Sequence, residues 1–91
     1  MKYIFKGQHS GIFYGECDTD LNKNLVIKNV RQILSYQCDG LFQLSLEGPS
    51  TTSRIRMTIT IPYIKINDCI EQIPCSEEAI QKLDAVPEWR L

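Results

Sequence analysis

The sequence is short of the residues on which most enzymes and metal sites depend. It contains a single histidine, His9, and its four cysteines include no C-x-x-C pair. Zinc sites use such spacings, and general acid–base chemistry most often uses histidine. Glycine-rich phosphate loops, G-x-S-x-G, H-E-x-x-H and the kinase signatures are also missing. We therefore expect no catalytic residue, no bound metal and no cofactor.

The sequence also lacks long apolar runs and any excess of positive charge. No run approaches the ~20 apolar residues of a membrane span, and the N-terminus has no signal-peptide pattern. Ten Lys and Arg against eleven Asp and Glu give a net charge of -1, which disfavours binding to a nucleic-acid polymer. We expect a cytoplasmic protein that contacts no membrane. Its cysteines are then expected to be reduced thiols, with a metal site or a disulfide as the alternative: Cys17, Cys38, Cys69 and Cys75.

The hydrophobic pattern predicts one domain over residues 1–91 with an α+β fold. Its centre is a small, mainly antiparallel β-sheet with a C-terminal helix. The helix follows Pro74, with Cys75 or Ser76 as its N-cap. The apolar residues between Gly40 and Gly48 fit either a short additional helix or a strand. Strands are predicted over residues 2–6, 12–17, 25–37, 54–66 and 69–73, with a bulge or an edge position at Pro62.

Polar side chains interrupt the third predicted strand. Asn29 and Arg31 share one face of the extended chain with Leu25, Ile27 and Ile33, whereas Lys28 and Gln32 lie on the other face. We expect Lys28 and Gln32 to face solvent. An arginine among core-facing neighbours needs a partner. That partner is expected to be a carboxylate across a subunit interface or a bound phosphate.

Two further groups of side chains are candidates for ligand contact. Phe13 lies between Gly11 and Gly15 on one strand face, so its ring is either a platform for a flat ligand or an ordinary core residue. Arg54 and Arg56 share the non-core face of their strand, where they meet either solvent or an anion.

Four blocks of the sequence resemble a small phage-encoded family, the anti-Thoeris sponges of the first type. They are SGIFYGE, LVIKNVRQILSY, GLFQLSLEG and IEQIPCSEEAIQKLDAVPEW, which together span nearly the whole chain. The Asn-x-Arg of residues 29–31 and the Pro-x-x-x-Glu-Ala of residues 74–79 are the most distinctive patterns. Gln32 and Ser35 stand where relatives often have an arginine and an aromatic residue, which leaves Tyr36 as the nearby ring.

The resemblance implies a non-enzymatic protein of the host-cell cytoplasm that sequesters a cyclic ADP-ribose immune signal without cleaving it. The family binds glycocyclic ADP-ribose isomers between the subunits of a homodimer. Some members form trimers of dimers that also take cyclic oligonucleotides at a second site. The ligand-binding residues expected here are Phe13, Asn29, Arg31, Tyr36, Arg54 and Arg56.

Two other functions fit parts of the sequence. A protein-interaction module could bind a host protein through the exposed sheet face that carries Arg54 and Arg56. A phosphodiesterase acting on the same signal would depend on a divalent metal, and the scarcity of histidine argues against it.

Overall fold

The chain folds around one antiparallel sheet that carries two helices on one side, which confirms the predicted α+β fold. The structure is a computed structural model that describes residues 1–17, 25–36, 40–50 and 55–89. None of the helices in these ranges is long and apolar enough to cross a membrane. The strands are β1 (Lys2–Gly7), β2 (Ile12–Glu16), β3 (Leu25–Tyr36), β4 (Ile55–Met57), β5 (Ile61–Ile66) and β6 (Cys69–Pro74), and the helices are α1 (Leu41–Glu47) and α2 (Glu77–Asp84).

The C-terminal helix begins as its sequence predicts. The hydroxyl of Ser76 accepts a hydrogen bond from the backbone N–H of Ala79 at 3.1 Å, and Glu77 and Glu78 occupy the first turn. Both features stabilise a helix N-terminus. Ala79 and Leu83 are buried against the sheet. The segment between Gly40 and Gly48, whose sequence fits either a helix or a strand, forms α1, which packs beside α2.

The predicted strand over 54–66 is wrong in one respect, because residues 58–60 separate β4 from β5. Alternation through an unbroken strand would place Ile59 and Ile61 on the core face with Ile55 and Met57, yet their side chains are 38% and 37% exposed. Pro62 lies in β5. Among the described residues, β5 pairs with β3 and with no other strand. The prediction of an edge position at Pro62 is therefore confirmed.

The sheet closes on itself through one continuing stretch of chain. β5 pairs antiparallel with β3, and β6 pairs antiparallel with β1. Since β1 and β3 both run antiparallel to β2, β5 and β6 run in the same direction. Only Asn67 and Asp68 separate them. The chain from β5 to β6 therefore joins the two edges of the β3-β2-β1 sheet, which curls into a small barrel-like ring.

This curl creates two separate cores. The outer core lies between the sheet and the helices. The inner core lies within the concave face of the sheet, where side chains are buried although no helix covers them. We call them the helix-side cluster (Ile4, Tyr14, Ile33, Leu44, Ile55, Met57, Cys75, Ala79, Leu83 and Val86) and the inner cluster (Phe5, Phe13, Leu25, Ile27, Val30 and Ile66).

A bulge at Asn29 explains the polar interruption of β3. Glu16 pairs with Lys28 but Tyr14 pairs with Arg31, so β3 carries one extra residue. Asn29 has φ 47°, a left-handed conformation that asparagine tolerates better than most residues. Gly15 lies opposite, where a Cβ would be 2.9 Å from the carbonyl oxygen of Lys28. The glycine is therefore required by the close approach of the two backbones.

The bulge changes which side chains share a face. Beyond it, Val30 joins the inner cluster, whereas Ile33 joins the helix-side cluster. The predicted common face for Arg31 and Leu25 is therefore wrong. Gln32, which strict alternation places in solvent, points to the concave side of the sheet and lines a cavity there.

Candidate functional site

The concave face of the sheet holds a cavity of about 270 Å³. Its wall is almost entirely apolar, and the two polar exceptions are Gln32 and Thr58. None of the described lining residues carries a charge or titrates near neutral pH. We call this space the inner cavity. It is lined by Phe13, Val30, Gln32, Thr58, Ile59, Ile61 and Ile64.

The register of the sheet brings Phe13 and Gln32 together. They are cross-strand partners on β2 and β3, and such partners lie close together on the same face. A Cβ placed on Gly11 would lie 2.9 Å from Nε2 of Gln32 and 3.9 Å from Cζ of Phe13. Gly11, with φ 116°, thus leaves the space in which the amide and the edge of the ring meet.

Two hydrogen bonds join Thr58 to the backbone N–H and carbonyl groups of Gln32. The N–H of Gln32 donates to Oγ1 of Thr58 at 2.9 Å, and the N–H of Thr58 donates to the carbonyl oxygen of Gln32 at 3.0 Å. The Thr58 hydroxyl in turn donates to the Ile59 carbonyl. The backbone groups of Gln32 and the hydroxyl of Thr58 are thereby paired, and among the described lining residues the Gln32 amide is the polar group left for a ligand.

Arg31 is buried, and the partners that the described residues provide for it are backbone carbonyls of the same chain. Nε donates to the carbonyl of Thr58 at 2.9 Å, and Nη1 donates to that of Leu83 at 3.2 Å. Nη2 donates to the carbonyls of Val86 and Pro87 at 2.9 and 3.3 Å. The guanidinium therefore fastens the C-terminal end of α2 to the sheet.

The charges around Arg31 support this structural role. Burial lowers the pKa of its guanidinium, while the nearby carboxylates of Glu88 and Asp84 act in the opposite direction. The Tyr14 hydroxyl donates to Asp84 at 2.7 Å, and burial followed by this bond raises the pKa of Tyr14. Lys2 also reaches Asp84, at 2.8 Å. These groups form a network under α2, on the opposite side of the sheet from the inner cavity.

The other predicted ligand residues lie apart from one another. Asn29 is exposed and donates its side-chain N–H to Glu16. Tyr36 is half-buried and packs against the helix-side cluster. Arg56 is exposed and lies over the ring of Trp89, 4.4 Å from its centroid. Arg54 lies outside the described residues.

Among the predicted ligand-binding residues that the structure describes, Phe13 lines the inner cavity. It is also a buried residue of the inner cluster. Gln32 also lines the cavity. The sequence pattern does not assign it to the site, because strict alternation along β3 places it on the face opposite Leu25 and Ile27. The available signal was the combination of Asn29, which favours a left-handed residue, with Gly15 on the neighbouring strand.

Titratable groups elsewhere do not assemble into a metal site in the part of the chain that the structure describes. Burial raises the pKa of the Cys75 thiol to about 11, and burial also raises that of Cys69. Both thiols are therefore protonated at neutral pH, which makes them poor nucleophiles. Cys38 lies outside the described ranges.

Comparisons with known proteins place the chain in a family. A search of curated proteins and a search of solved structures each found no significant match. A family model described as a domain of unknown function, DUF6948, matches residues 1–83. The chain belongs to the DUF6948 family.

Proposed function

We propose that the protein is a non-catalytic binder that sequesters a cyclic ADP-ribose signal, with the base of the ligand held in the inner cavity. The single observation that carries the proposal is the cavity itself, an apolar space walled by an aromatic ring and equipped with one available amide. Apolar pockets with few placed polar groups are typical of small-molecule sites. The family description adds no function, so the identity of the ligand rests on the resemblance of the sequence blocks.

The size of the cavity supports a shared site. Pockets that enclose a whole small ligand usually measure roughly 300–1,000 Å³, and the inner cavity holds about 270 Å³. It accommodates a single ring system more readily than two riboses and a pyrophosphate. Ile59 and Ile61 line the cavity and are still partly exposed. A second subunit that covered them would enclose the rest of the ligand, as in a homodimer or a trimer of dimers in the host cytoplasm.

Arg56 is the described arginine that this proposal assigns to the pyrophosphate. It lies two residues before Thr58 on the same stretch of chain, it is exposed, and its guanidinium lies over the ring of Trp89. Arg31 is not assigned to the ligand because backbone carbonyls already occupy four of its five N–H donors.

Titration calorimetry with glycocyclic ADP-ribose tests the proposal. Binding is expected, and heat denaturation should release a ligand whose chromatographic mobility is unchanged. Phe13→Leu, which keeps an apolar side chain without the ring, should weaken binding by about 1 to 3 kcal/mol. The matched control is Phe42→Leu, because Phe42 is 73% exposed on α1, away from the lining residues. Absence of binding, or recovery of a degraded ligand, would contradict sequestration.

A second function is favoured by the edge strand β5. Ile61 and Tyr63 are exposed along it, and an unpaired edge offers backbone groups to another chain. A protein-interaction module would use this strand to bind a host protein. Pull-down from host lysate supports it if Tyr63→Lys loses a specific partner while binding of the nucleotide is absent in the wild type.

A further inference from the structure

We propose that Gln32 reads the base of the ligand and selects adenine. This inference rests on the proposed function, since it concerns the same cavity, but it assigns a specificity to a residue that the sequence pattern places in solvent. It follows from the position of the amide, from the chemistry of the surrounding wall and from the hydrogen-bonding pattern of purines.

The backbone that carries the Gln32 amide is held in place by Thr58. Its backbone is bonded to Thr58 through both N–H and carbonyl groups. Its Nε2 lies over Gly11, in the space that a Cβ would otherwise occupy. The fixed backbone and the space left at Gly11 define the position from which the Gln32 side chain reaches the cavity.

The wall of the cavity restricts what can enter it. Apart from Gln32 and Thr58, the lining side chains are apolar, and burying a charge among them would be costly. A phosphate is therefore excluded from the cavity, whereas a neutral ring is accepted. The ring of Phe13 offers it an aromatic surface.

A glutamine amide presents an N–H donor beside a carbonyl acceptor in one plane. Adenine presents the complementary pair on its N7 edge, because N7 accepts and the N6 amino group donates. Guanine and hypoxanthine have a carbonyl oxygen at position 6, so N7 and O6 both accept. The Gln32 carbonyl would then face an acceptor, and the pair of bonds would be lost.

Calorimetry with three versions of glycocyclic ADP-ribose tests the inference. They carry adenine, hypoxanthine, which lacks the N6 donor, or 7-deazaadenine, which lacks the N7 acceptor. The wild-type protein should bind the adenine form more tightly than either analogue, by roughly 5- to 150-fold, the range that corresponds to one bidentate contact. Gln32→Leu, which keeps the approximate length of the side chain, should bind all three with similar affinity. Gln43→Leu, on the exposed side of α1, is the matched control and should keep the preference.

The outcomes separate this inference from the proposed function. If the wild type binds all three versions equally, or if Gln32→Leu keeps the preference, the role of Gln32 is refuted while sequestration stands. If the wild type binds none of them, both proposals fail. Equal binding of the three ligands by the wild-type protein refutes the inference even if Gln32→Leu does not fold.

Discussion

At the scale of single residues, Arg31 shows that a buried arginine can find partners within its own chain. The sequence indicates that this arginine is too surrounded by apolar residues to remain without partners, and the structure shows it buried with four hydrogen bonds. All four acceptors are backbone carbonyls far along the chain. Backbone acceptors leave no trace in side-chain identity, so no reading of the sequence could have named them.

Arg31→Ala should reduce stability in the absence of any ligand. Charge-assisted hydrogen bonds contribute about 1.5 to 3 kcal/mol each and do not add fully, so we expect the free energy of unfolding to fall by about 2 to 4 kcal/mol. Urea denaturation measures it. Arg31→Lys should recover little, because a point charge cannot reach the same set of acceptors.

The control for this substitution is Arg56→Ala. This substitution removes an exposed cation–π contact between Arg56 and Trp89. Such a contact contributes only about 0.5 to 1 kcal/mol. An Arg31→Ala protein with wild-type stability and no ligand binding would restore the ligand role that the sequence predicted.

At the scale of secondary-structure elements, most of the fold was predictable because each element carries its own signal. The N-cap Ser76, the acidic first turn and the buried stripe of α2 are all local. The bulge in β3 is different, since it depends on how two strands meet. Asn29 stands out in the sequence as a polar residue within a strand, but its left-handed conformation makes sense only with Gly15 opposite it. An error of one residue in alternation then reverses the faces of all that follows, which is why Gln32 was missed.

Substitutions at Asn29 test the bulge. Asn29→Val should lower the free energy of unfolding by about 1 to 2 kcal/mol, because a β-branched residue is strained at φ 47°. Asn29→Gly removes that strain, so it should cost only the bond to Glu16. Urea denaturation of the two variants side by side gives the difference. Equal loss in both would mean that the side-chain bond, rather than the backbone conformation, dominates.

Gly15→Ala tests the same feature from the neighbouring strand. The added methyl group would lie 2.7 Å from Cγ2 of Ile27 and 2.9 Å from the Lys28 carbonyl oxygen. Overpacking of this kind costs about 1 to 3 kcal/mol. Gly40→Ala is the control, since a Cβ at Gly40 meets nothing within 4 Å. Thermal melts should show a large shift for the first variant and a small one for the second.

At the scale of the whole molecule, closure of the ring depends on the link between β5 and β6. Asp68 in that link accepts hydrogen bonds from the backbone N–H groups of His9 and Ser10 and from the Ser10 hydroxyl. These bonds connect the β1–β2 turn to the segment that joins the sheet edges. The polar turn at residues 7–11 was predictable, whereas its partner Asp68 was not, because the two are some sixty residues apart.

Asp68 should make stability depend on pH. The bond from the Ser10 hydroxyl, followed by that from the His9 N–H, lowers the pKa of Asp68 in the folded state. The ionised carboxylate therefore adds stability above its unfolded pKa of 3.8, and this contribution disappears as the pH falls through the lower folded value. Asp68→Asn should melt at a lower temperature than the wild type at pH 7, and the difference should vanish in acid.

Glu71→Gln is the control for this pH dependence, because Glu71 makes only an exposed contact with Lys6 at 3.9 Å. It should leave the melting temperature nearly unchanged across the same range. A difference between Asp68→Asn and the wild type that persisted in acid would assign the effect to packing rather than to the charge.

The joining of both sheet edges by β5 and β6 also dictates when the chain can fold. β1 spans Lys2–Gly7 and one of its two neighbours, β6, spans Cys69–Pro74, so about sixty residues of chain separate these paired strands. During synthesis on a ribosome the ring must stay open until β6 has emerged. Proteins dominated by such distant pairings fold slowly, so Phe5 and Phe13 stay exposed to other apolar surfaces while the chain between β1 and β6 is made.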